Sequence, residues 1–111
     1  MGLLEKIAAR RNYPLTIGTQ TIQICALEID AFERIEALPP ELKNSYMMGH
    51  GLCEDDGSPA FPQRPEESDA AYAARVQSAL KDAGVRTDTL IEITRAIGMI
   101  GTVNREDIAK N

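Results

Sequence analysis

The run Leu15-Thr16-Ile17-Gly18-Thr19-Gln20-Thr21-Ile22-Gln23-Ile24-Cys25-Ala26-Leu27 decides the fold class. Leu15 and Ile17 alternate with polar residues before Gly18, and Ile22, Ile24 and Ala26 do so after it, with Thr21, Gln23 and Cys25 between them. A period of two in a Thr- and Ile-rich stretch is the pattern of a half-buried strand. Residues 18 to 20 supply a turn, so the segment reads as a β-hairpin over about 15 to 27.

On either side of the hairpin the spacing changes to that of helices. Residues 2 to 11 place Leu3, Leu4, Ile7 and Ala8 on one face, and Tyr13-Pro14 stops the pattern, which predicts a short amphipathic helix. Asp30 followed by Glu33 is a capping-box variant opening a helix over about 30 to 38. Its apolar positions are Phe32, Ile35 and Leu38, and Pro39-Pro40 ends it. Pro40 sits where a second short helix would begin, carrying Leu42, Tyr46 and Met47 and closed by Gly49 and Gly51. Residues 49 to 67 combine Gly51, Gly57, Pro59, Pro62 and Pro65 with no periodicity and read as a long loop.

Helical spacing returns over 68 to 83, with Tyr72, Val76, Ala79 and Leu80 on one face and Gly84 as the left-handed cap. Thr87 or Asp88 caps a further helix over about 88 to 100, bearing Leu90, Ile93, Ile97 and Ile100 with Ile91 on a second edge. Gly98 and Gly101 are expected to break its end, and Asn104 with Asp107 to cap one last turn. The expected fold is α+β, mainly α: a short N-terminal helix and a β-hairpin followed by a small helical bundle, in one domain spanning 1 to 111.

Composition narrows the function classes. With 43% hydrophobic and 26% charged residues, the 111-residue chain has enough apolar material for one core. Aromatic content is 5% with no Trp, which favours a core of small aliphatic side chains. The net charge is −5, and Arg10-Arg11 is the one basic pair, so the clustered cationic surface that displaces counterions from a phosphate backbone is missing. No nucleic-acid partner is expected. The first eleven residues are too charged and too short for a signal or membrane segment, so a cytoplasmic, non-membrane protein is expected. Cys25 and Cys53 lack CxxC spacing in a chain long enough to fold unaided, and read as reduced thiols.

The residues that could carry chemistry are few. His50 stands between Gly49 and Gly51, near Cys53, Glu54, Asp55 and Asp56. A structural zinc site needs about four Cys or His ligands, and this window has one of each. A calcium loop needs Gly at its sixth position with acids at the first and third, but counting back from Gly57 puts Leu52 first. Cys53 with His50 would need a third group to orient the base. Adjacent carboxylates such as Asp55-Asp56 or Glu66-Glu67 point apart on most backbones, and the glycines form no phosphate loop. The expectation is no cofactor, no metal and no catalysis. Ile91, Ile93, Ile97, Met99 and Ile100 crowd a short span, so Leu90, Ile93, Ile97 and Ile100 are either bundle core or a partner-binding stripe. Tyr46 and Met47, with Met48, pose the same choice between gap-filling core and an adaptable contact surface.

The run Gly51-Leu52-Cys53-Glu54-Asp55-Asp56-Gly57-Ser58-Pro59-Ala60-Phe61 resembles a turn signature of the tail assembly chaperones of long-tailed bacteriophages and prophages. Leu52, Cys53, Asp55, Asp56, Gly57 and Phe61 carry it. The ending Glu106-Asp107-Ile108-Ala109-Lys110-Asn111 and the strand pair leading into a helix over 15 to 38 are similar to that family too. The chain departs from it in having Pro62-Gln63-Arg64-Pro65 after the Phe, and Ile97-Gly98 in place of an Asn-Gly pair. The resemblance implies a non-catalytic role: binding the tape measure protein, and through it the tail tube protein, during tail assembly, and absence from the mature virion; self-association is a further possible partnership. It also implies a longer, frameshifted form, for which Lys110-Asn111 could be encoded by slippery codons. Competing readings are a minor tail or head-tail connector or terminator subunit, and a small prophage-encoded regulatory binding protein.

Overall fold

The computed structural model describes residues 2 to 9 and 11 to 110, with side chains up to residue 100. The protein is α+β and 55% helical, with one three-stranded antiparallel sheet and five helices among the described residues. In chain order these are α1 (Leu3–Ile7), β1 (Tyr13–Ile17), β2 (Gln20–Ile24), α2 (Ile29–Arg34) running into a 3₁₀ turn (Ile35–Ala37), α3 (Pro40–Gly51), β3 (Leu52–Cys53), α4 (Asp69–Asp82) and α5 (Thr87–Lys110).

The hairpin forms where the alternation put it. Ile17 pairs with Gln20 across Gly18 and Thr19, Leu15 with Ile22, and Tyr13 with Ile24. Gly18 has φ +62° and no other residue type has positive φ among the described residues, the pattern of a II′ turn, whose twist matches that of the strands. Tyr13, Leu15, Ile17, Ile22 and Ile24 share the inward face and pack on the core. On the outward face, the Thr16 and Thr21 hydroxyls lie 3.2 Å apart. The strands begin and end two or three residues before the expected limits. Pro14 belongs to β1 because β1 is an edge strand, and with Ile17 and Gln20 closing the turn the missing Pro14 N–H falls on the unpaired side. Cys25, expected on the polar face, is buried, since past Ile24 the chain leaves the strand, its backbone N–H donating to Gly51 O at 2.8 Å.

Several expectations need correcting. The Asp30–Glu33 capping box does not form: Glu28 is the N-cap with no side-chain bond, and Asp30 pairs with Arg34 one turn on. Phe32, expected inside, is 47% exposed, while Ala31 and Ile35 are buried. Of Gly49 and Gly51, only the second closes α3, which runs through Gly49 and His50 and ends at Gly51. They are close-approach sites: a Cβ on Gly49 would lie 2.5 Å from Tyr72 Oη, and one on Gly51 2.4 Å from Ile97 Cδ1. The long loop is also shorter than expected, because Leu52 and Cys53 form β3, with Leu52 opposite Ile24 and Cys53 opposite Gln23.

α4 begins as expected, with Ser68 Oγ accepting from Ala71 N, and Gly84 follows it at φ +76°. α5 starts at Thr87, with Asp88 Oδ1 accepting from Thr89 N. It continues through Gly98 and Gly101 to Lys110 rather than stopping near 100, so no new cap starts at Asn104. One glycine in a helix costs only about 1 kcal/mol relative to Ala, less than the hydrogen bonds on both sides supply. The side chains of the family-like ending at 106 to 111 lie outside the described residues.

α3 packs against α4 and α5, and this helical layer covers the inward face of the sheet. Tyr46, Tyr72, Met48, Ile97 and Val76 are the largest fully buried side chains, each contributing roughly 1.5–3 kcal/mol by burial. α1 contributes no buried residue. No helix among the described residues is long and apolar enough to cross a membrane.

Candidate functional site

A polar cluster surrounds His50, in a cleft of about 450 Å³ between α2, the C-terminal half of α3 and the start of α4. Helical spacing puts Tyr46 and His50 one turn apart on α3, and Gly49 between them lets Tyr72 of α4 approach. The His50 ring lies 4.6 Å from that of Tyr46 and 4.9 Å from that of Tyr72, and the two tyrosines meet edge to face at 5.9 Å. Tyr72 Oη donates to Phe61 O, which fixes the ring from the loop side. Continuing α3 past Gly49 is what builds this trio.

Polar groups close the cluster. His50 Nε2 lies 3.0 Å from Gln63 Oε1, an acceptor, so the network assigns the ring proton to Nε2. Gln63 Nε2 donates to Glu67 O at 3.0 Å and Asp69 Oδ1 at 3.1 Å. Tyr46 Oη donates to the same Asp69 oxygen at 3.1 Å and accepts from Arg34 Nε at 3.2 Å, and Arg34 Nε lies 3.2 Å from Asp69 Oδ2. Burial pushes the His50 pKa below the ordinary imidazole value, against the Gln63 bond that raises it, so His50 is neutral at pH 7. Burial also raises the Tyr46 phenol, with Arg34 opposing. At the rim, Arg75 Nε and Nη2 each bond a Glu67 carboxylate oxygen at 2.9 Å, and this pairing holds Glu67 down at about 2. The bonds run between α2, α3, the loop and α4, so the arrangement clamps those four segments together.

Gln63, Arg34 and Asp69 carried no sequence signal, because they meet only when loop and helix ends converge. The Tyr46–His50 pair at i, i+4 was visible in the sequence, yet reading the glycines as a stop put His50 outside the helix.

Cys53 and His50 do not come together as nucleophile and base. Cys53 is buried on β3 with its Sγ directed at Gly51 O, 3.9 Å away, whereas the His50 ring lies between the two tyrosines. Cys25 Sγ is directed at His50 O at 3.5 Å, so both cysteines are buried thiols. No group of three or more His, Cys, Asp or Glu side chains suited to a metal occurs among the described residues.

The acidic run is a closed turn on β3. Glu54 N donates to Ser58 O at 2.8 Å, Gly57 N to Glu54 O at 2.9 Å, and Cys53 bridges to Pro59. Gly57 sits at φ +90°, and Asp56 Oδ1 accepts from the Ser58 hydroxyl and backbone N–H, which holds its carboxyl below the usual range. Asp55 and Asp56 are exposed, while Leu52 and Phe61 pack on the core.

Of the stripe and Met-rich candidates, Tyr46, Ile93 and Ile97 are buried, and Leu90, Ile100 and Met47 are partly buried against the core. The stripe is therefore mainly the seam of α5, with Ile97 seated against Gly51. The exposed apolar residues of the bundle are instead Ile91 and Met99 on α5 and Ile29 and Phe32 on α2. No family model, curated protein or solved structure matches this chain.

Proposed function

We propose that the protein is a non-catalytic tail assembly chaperone that binds the tape measure protein, and through it the tail tube protein, in the host cytoplasm. The resemblance of residues 51 to 61 to that family's turn signature carries this reading. Supporting it, an acidic chain with exposed Ile29 and Phe32 offers a helical partner an apolar contact together with charge that resists aggregation. Because Ile93 and Ile97 are core, the partner-binding assignment moves to the α2 surface.

Co-expression with the tape measure protein tests the reading. The wild-type chain should raise the soluble yield of that protein, and mass spectrometry of purified virions should find the chain absent. An unchanged yield, or the chain present in several copies per particle, overturns it. Ile29→Asp with Phe32→Asp should abolish the gain while leaving the circular dichroism spectrum intact; a retained gain moves the contact elsewhere.

A further inference from the structure

Besides the α2 surface, two apolar surfaces among the described residues are exposed, and they fit each other. The first is α1, where Leu3, Leu4 and Ile7 are each 70 to 75% exposed and no residue is buried. A five-residue helix in water lacks the length to sustain itself, so its order requires a surface to lie on. The second is a groove of about 410 Å³ between β1 and α5, walled by Leu15, Ile91, Ala96 and Met99. Ile91 and Met99 are about half exposed, at 49% and 57%.

Charge matches the two. The segment through Arg11 carries Lys6, Arg10 and Arg11 against one acid, Glu5. The groove is rimmed by Asp88 and Glu92, with Arg95 as its one base. α1 itself carries Glu5 and Lys6, and Arg10-Arg11 follow it, so in an otherwise acidic protein the N-terminal segment as a whole is cationic and is attracted to an anionic apolar groove rather than repelled.

We infer that the occupant of the groove is α1 of a second copy of this chain, in a two-fold dimer in which each copy's α1 fills the other's groove. The path of the chain favours a second copy over the same one. Asn12 Nδ2 fills the space beside Gly57 that a Cβ there would take, which draws the chain entering β1 toward the turn at the β3 end of the sheet. The groove lies at the opposite, β1 end, against α5. A two-fold arrangement makes both contacts at once and closes the assembly at two.

Sedimentation velocity over a concentration series tests this on the full chain. The wild type should pass from monomer to dimer as concentration rises. Leu4→Asp and Met99→Asp should each weaken dimerisation by about tenfold or more. Neither side chain is buried in the monomer, so circular dichroism should show both variants folded. Mixing the two variants should restore association, because one intact α1 still meets one intact groove. Lys6→Glu should weaken the dimer, and adding Glu92→Lys should recover it. A wild type that stays monomeric, including one whose groove is filled by its own α1, overturns the proposal. So does a dimer that survives deletion of residues 1 to 9, or a mixture of the two variants that fails to associate.

Discussion

The two edges of α5 have nearly the same composition and opposite fates. Ile93 and Ile97 are 5% and 2% exposed and are gripped by α3, whereas Ile91 and Met99 on the neighbouring edge are half in water. The difference arises outside α5. Gly51 removes a side chain where Ile97 must sit, so the helices approach closely along that edge and nothing comparable covers the other. Hydrophobicity thus made α5 able to pack on either edge, and a missing Cβ on α3 chose which one.

This contrast is open to direct test by substitution and urea unfolding. Ile97→Asp should have the largest effect, about 4 kcal/mol or more, because it buries a carboxylate with no partner. A loss under about 1 kcal/mol would mean that the two edges are equivalent. Gly49→Ala should cost about 1–3 kcal/mol through overpacking against Tyr72, whose ring cannot retreat while its hydroxyl holds Phe61 O. Away from the seam, Ser68→Ala should cost about 1 kcal/mol by removing the cap of α4.

Acid should act on the clamp through His50. Its folded pKa lies below the unfolded value, so the unfolded chain binds the proton first and stability falls as pH drops through about 6.5. His50→Gln should flatten the urea midpoint between about pH 7 and 5. Glu67 extends the decline lower: its depressed pKa makes its contribution full above about 4.5 and lost toward about 2, and Arg75→Ala should remove that portion. The smallest effect belongs to the exposed edge, where Ile91→Asp should change monomer stability by no more than about 0.5 kcal/mol. A cost near that of Ile97→Asp would erase the contrast.

Much of this was legible along the chain. The hairpin, the break at Pro39-Pro40, the helix from about 68 and Gly84 after it all rest on backbone preferences that act within a few residues. The reading failed where a local signal was overruled at a distance. Gly49 looks like a helix stop until Tyr72 supplies the reason for a glycine inside the helix. Asp30 looks like a cap until Arg34 engages it, and Phe32 looks like core while Ala31 is the residue that faces inward. Leu52 and Cys53 are too few to announce a strand and exist as one because β2 is there to pair with. The polar clamp followed the same rule, since Gln63 and Asp69 acquire their roles only where the loop meets the end of α3.

The sequence by itself determined an α+β class, a β-hairpin beside a helical bundle, a net negative charge and a C-terminal helix carrying more apolar residues than one seam needs. Periodicity, turn chemistry and charge are properties of the covalent chain, which is why they could be read from it. Only the tertiary structure decided which edge of α5 is core, why α3 runs on to His50, and that α1 lies with its apolar face uncovered. Those outcomes depend on which side chains are absent at points of close approach, and such points do not exist until the elements have packed.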